Sequence, residues 1–140
     1  MQFKLKKFTL VLGTLLFISE NFAQVKISEL LQNSDYHSPT SKSKLFMIEF
    51  WATWCGPCIT VSDYLDVLQE QFKDDLFILS LSEETSATVQ KFLTKRPTRL
   101  ASSIDYDGQT FKKYGVTDLP FAVLLDASTQ TIWQGNPANL

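Results

Sequence analysis

Four residues constrain this chain more than any others: Cys55-Gly56-Pro57-Cys58, placed where the hydrophobic pattern changes period. Before them, Lys44-Leu45-Phe46-Met47-Ile48-Glu49-Phe50-Trp51-Ala52 is a short, almost continuously apolar run, the pattern of a central strand buried on both faces. Glu49 is the one charge inside that strand. After them, Val61, Tyr64, Leu65, Leu68 and Phe72 recur at i, i+3, i+4, i+7 and i+11, one face of an α-helix. Pro57 suits the first helical turn, where its missing N–H is no loss. The chain must pass from sheet to helix here with both thiols at the helix start.

That location has chemical consequences. Unpaired backbone N–H groups and the helix dipole at an N-terminus favour negative charge. A free thiol has a pKa of ~8.5, and helix N-termini lower it to roughly 3.5–7.5. The thiolate is the nucleophile of disulfide exchange, so Cys55 is the attacking residue, and Cys58, one turn further in, can resolve the mixed disulfide. Competing readings are half of a zinc site, for which His37 in a polar loop is the sole further candidate ligand, and a static disulfide whose short loop stabilises little. A haem-attachment motif requires His after the second cysteine, and Ile59 stands there.

The rest of the chain alternates strand and helix. Gln24 to Gln32 carries no clear pattern, and Asn33 to Ser43 reads as an exposed loop. Leu76 to Leu81 is a second buried strand; Glu83 to Lys95 is a helix capped by Thr85 or Ser86 and stopped by Pro97. Arg99 to Tyr106 is ambiguous, with a short edge strand as one reading. Gly108 to Tyr114 reads as a helix closed by Gly115. Phe121 to Leu125, a turn at Asp126 to Gln130, and Thr131 to Gln134 form a hairpin. This order describes an α/β fold, a mixed sheet flanked by helices. Pro137 stands where another helix could open, and the abrupt end at Leu140 reads as a domain cut from something longer.

Composition narrows the class. With 140 residues, 44% of them hydrophobic, the chain is one globular domain. A net charge of −2 removes a basic nucleic-acid footprint, and two cysteines cannot staple a disulfide-dense scaffold. Residues 1–23 read as a secretory signal: Lys4, Lys6 and Lys7 precede an apolar run from Phe8 to Ile18, with a cut after Ala23. An uncleaved N-terminal anchor is the alternative. Residues 24–140 then form an acidic domain bound for the periplasm or the exterior, where disulfides persist.

Phe50-Trp51-Ala52-Thr53-Trp54-Cys55-Gly56-Pro57-Cys58 resembles the active-site segment of the thioredoxin superfamily. Together with the leader and Tyr114-Gly115-Val116-Thr117-Asp118-Leu119-Pro120, it points to the exported TlpA/ResA-like thiol–disulfide oxidoreductases, a likeness running from about Leu45 to Gly135. The resemblance implies a thioredoxin-like fold and a cis-proline at Pro120 that presents the backbone of Leu119 to a substrate strand. A trans proline opening a strand is the bland alternative. Glu49 falls where the family buries an acid beneath the site, able to exchange a proton with Cys58; a Glu turned to solvent or paired with Lys is the alternative. Trp54, Gly56 and Pro57 would wall the substrate contact, and the active pair would cycle through a Cys55–Cys58 disulfide. Gly56-Pro57 matches the reducing members, so the implied partners are disulfide-bearing client proteins and a membrane thiol-electron donor. No cofactor or metal is implied. Three features depart from the family pattern: Asp63 stands where many members have a kinking proline, the hairpin lacks glycine, and the final helix is missing. Lys112-Lys113 and Glu83-Glu84 read as ordinary helix surface. Two other classes stay open, a redox-linked docking module of a longer protein and a copper or zinc thiolate carrier.

Overall fold

The computed structural model describes residues 29–32 and 44–140; the leader and His37 lie outside them. In chain order the elements are β1 (Glu29–Gln32), β2 (Leu45–Phe50), α1 (Gly56–Gln71), β3 (Leu76–Ser82), α2 (Ser86–Lys95), β4 (Ala101–Ile104), α3 (Gln109–Lys113), β5 (Phe121–Asp126) and β6 (Thr131–Gly135). One sheet takes all the described strands in the order β1-β4-β3-β2-β5-β6. β2, β3 and β4 run parallel, while β1, β5 and β6 pair antiparallel, so the sheet is mixed.

The alternation of β2 sorts its side chains onto two faces. Met47 packs with Val61 and Leu65 of α1, and Trp51 packs with Val89 and Phe92 of α2. Ile48 and Phe50 point the other way, against Phe111 of α3, where the Phe50 and Phe111 rings meet edge-to-face at 4.9 Å. β3 is buried along its whole length because strands flank it and helices cover it. Gln69 ties α1 to that strand: its Nε2 donates to the Leu76 carbonyl at 2.6 Å and its Oε1 accepts from the Ile78 N–H at 2.7 Å.

Several expectations change. β4 is not an edge strand, because β1, a segment with no clear sequence pattern, pairs outside it. α2 begins at Ser86 rather than at residue 83, because Thr85 takes the N-cap and accepts from the Thr88 N–H. Of the apolar face read along α1, Val61 and Leu65 are buried, whereas Tyr64 and Phe72 are half exposed and border an apolar groove with Leu68 and Leu140. Pro137 opens only a 3-10 turn, Pro137–Asn139. The hairpin turns without glycine because Thr129 takes the left-handed conformation, φ 65°, and Asp126 Oδ1 accepts from the Ser128 and Gln130 N–H groups. Gly115 does take the left-handed φ of 62° read for it at the end of α3.

Candidate active site

β2 ends at Phe50, and the next residues run over the top of the sheet into α1. Glu84 fixes this crossing. Its Oε2 accepts from the Thr53 N–H at 2.7 Å and its Oε1 from the Thr53 hydroxyl at 2.8 Å. Glu84 is therefore not helix surface, as its neighbours in sequence made it read, but a clamp on the loop that carries the cysteines.

Cys55 is the N-cap of α1 and Cys58 lies within its first turn. The two sulfurs are joined, S–S 2.04 Å, with Cα atoms 5.3 Å apart. The Cys58 N–H donates to Cys55 Sγ at 3.2 Å, so an unpaired amide of the helix terminus points directly at that sulfur. Cys58 is wholly buried and Cys55 nearly so, while Trp54, Gly56 and Pro57 around them are exposed. Trp54, 75% exposed, is the most exposed large side chain at the site; Trp51 is buried against Phe92. The Leu119–Pro120 peptide is cis, with Pro120 buried and Leu119 half-buried. Trp54, Leu119, Phe111, Val116, Glu83 and Asp118 line a groove of about 340 Å³ beside the disulfide.

Glu49 lies on the same sheet face as α1, wholly buried. It is neither turned to solvent nor paired with a lysine. Its two carboxyl oxygens accept from the hydroxyls of Ser62 and Ser80, each at 2.6 Å. Ser62 is one helical turn beyond Cys58 on the same side of α1, which places the carboxyl under the helix that starts with the disulfide. Burial pushes the Glu49 carboxyl up from its ordinary 4.5 to about 7, against the smaller downward pull of the two serine donors. Asp63, the residue in place of the proline, forms an exposed ion pair with Arg96 just past α2, and α1 runs unbroken through it. Neither serine nor Glu84 stood out in the sequence: their partners are 13 to 31 residues away and meet only when strands and helix assemble.

A mixed sheet with a cysteine pair capping its first long helix, and Leu119 of a cis Leu119–Pro120 peptide packed on the cluster that holds that pair, defines a thioredoxin-type protein. The family model for thioredoxin matches residues 27–98, about half of the chain. The chain belongs to the thioredoxin family, in its TlpA/ResA-like branch. It is 32% identical over 93 residues to the thiol-disulfide oxidoreductase ResA of Bacillus thuringiensis subsp. konkukian, covering 65% of this chain and 54% of that one. The chain thus spans about half the length of the curated ResA relatives it matches. Among solved structures, it is similar to a protein from Chlorobium tepidum described as a thiol:disulfide interchange protein DsbE, with TM-score 0.65 and 26% identity over 71% of this chain and 74% of that one. StoA from Bacillus subtilis shares the fold, TM-score 0.61 at 18% identity, over 68% of this chain and 75% of that one.

Proposed function

We propose that the chain is an exported thiol–disulfide oxidoreductase that reduces disulfides of client proteins. The observation that carries this reading is the Cys55–Cys58 pair capping α1, with a backbone N–H aimed at the Cys55 sulfur. That N–H and the helix terminus favour a thiolate on Cys55 once the pair is reduced. The Cys55 thiolate attacks one sulfur of a client disulfide; an S–S bond forms, the client S–S bond breaks, and one client thiolate leaves. Cys58 then gives its proton to Glu49 and attacks the Cys55 sulfur, expelling the second client thiolate. Two electrons pass to the client, and Cys55–Cys58 ends oxidised. The about-neutral titration of Glu49 suits it to both halves of that exchange, since a group near the ambient pH can accept and release a proton.

Client binding falls to the groove beside Trp54, with the Leu119 backbone before Pro120 available to an extended client segment. An outside thiol donor, a membrane protein in the reading the family resemblance supports, must restore the dithiol after each cycle. The likeness to the thiol-disulfide oxidoreductase ResA supports the activity, and the leader pattern of residues 1–23 supports export. Trapping tests the proposal: a Cys58→Ser variant should accumulate mixed disulfides through Cys55 with exported proteins, released by reductant. No trapped species, with Cys55 free and accessible, overturns it.

A further inference from the structure

The proton that Glu49 receives must also leave, and the carboxyl is wholly buried. We propose that the cleft between α1 and α2 is a water-filled proton conduit from Glu49 to solvent, with Ser80 and Ser102 as its inner steps and the Asp63–Arg96 ion pair at its mouth. This rests on the dithiol reading above.

A polar row crosses the sheet under the two helices. Glu49 stands opposite Ser80 in the β2–β3 register, and Ser80 opposite Ser102 in the β3–β4 register, so the three side chains share one face. Ser80 already donates to Glu49. Beyond it is a cavity of about 50 Å³ whose polar side is formed by Trp51, Ser62, Ser80 and Ser102 and whose other side is apolar, with Asp63, Asp66 and Arg96 where it reaches the surface. At ~10–15 Å³ of such volume per water, it holds a few molecules. Its inner wall carries two buried polar groups with no protein partner among the described residues, the Trp51 indole N–H and the Ser102 hydroxyl. Buried polar groups are satisfied by protein or by ordered water, and water also needs two to four polar partners. The two orphans and the two serine hydroxyls supply them.

The transfer balances one proton in against one out. Protonated Glu49 must donate through its own O–H, so it donates to Ser80 Oγ. The Ser80 hydroxyl proton then passes to a cavity water, and the next water hands one on to solvent, leaving Glu49 a carboxylate. Re-reduction of the pair runs the path inward. The charged groups facing the cleft are Asp63 and Asp66 from α1 and Arg96 beyond α2, with Glu49 at its inner end. Asp63 pairs with Arg96 and Asp66 with Arg99, so the mouth sets no strong barrier to a proton of either direction.

Ellman's reagent separates the steps in one stopped-flow trace. The first thionitrobenzoate released reports attack by Cys55, and the second reports resolution by Cys58. Ser102→Val fills the cavity without touching Glu49, and Ser80→Ala removes the inner step. Expected is a first phase within about twofold of the parent and a second phase slowed at least about tenfold, less than the ~10²–10⁴-fold that a positioned proton acceptor supplies because Glu49 itself is kept. The slowed phase should show a larger solvent deuterium effect, and Ser80→Thr should restore the rate. A second phase unchanged in both variants overturns the conduit. A parent chain that never releases the first thionitrobenzoate would instead overturn the dithiol reading. Independently of any variant, the Trp51 indole proton of the parent should give an NMR cross-peak to long-lived water, and its absence also overturns the conduit.

Discussion

Replacing Glu49 by Gln isolates the cost of a buried carboxylate. The amide keeps the volume and can still exchange hydrogen bonds with Ser62 and Ser80. Below pH 4.5 the acid carries its proton in both the folded and the unfolded chain, so parent and variant differ by a constant. Between 4.5 and about 7 the unfolded chain releases the proton while the folded chain, through burial, holds it. Folding of the parent is thus favoured at low pH, and that advantage is lost as pH rises through the folded value. At ~1.4 kcal/mol per pH unit, the span from 4.5 to about 7 amounts to about 3 kcal/mol. Urea unfolding of both oxidised proteins, from about pH 4 to about pH 8, reads the difference directly. The Glu49→Gln variant should gain on the parent by that amount across the range and level off above it. A flat difference would refute the reasoning, and so would a parent that gains with pH, which marks a carboxylate stabilised by its surroundings.

Gln69→Leu should cost about 2–4 kcal/mol in the same assay, because it strands the Ile78 N–H and the Leu76 carbonyl in the core. Glu84→Ala frees Thr53 and should cost about 1–3 kcal/mol, with faster hydrogen exchange of the Thr53 amide as the local signature. Trp54→Ala should leave stability within about 0.5 kcal/mol, since the side chain is exposed. It should slow reduction of a protein client while leaving exchange with a small disulfide unchanged; equal slowing of both would remove Trp54 from the client contact.

Local chemistry was the legible part. The cysteine pair announced itself because a change of hydrophobic period and two thiols coincide within a few residues, and Glu49 because a charge interrupts an apolar strand. What pairs with Glu49 was not legible: Ser62 and Ser80 are ordinary residues until a helix and a neighbouring strand bring them within 2.6 Å. Glu84 misread for the same reason, since its partner is a loop 31 residues upstream. β1 escaped because four residues are too few for a period, and its pairing with β4 was what moved that strand from the edge to the interior. Tyr64 and Phe72 show the converse, a helical apolar stripe that the periodicity found and the packing only half buries.

The central claim is that Cys55 is the nucleophile and Cys58 its shielded partner. Iodoacetamide labelling of the reduced chain against pH, with the adduct located by mass spectrometry, tests it most directly. The expected result is labelling at Cys55 alone, with a midpoint clearly below the ~8.5 of a free thiol. Labelling of Cys58 at a comparable rate, or a Cys55 midpoint at or above that of a free thiol, would contradict it.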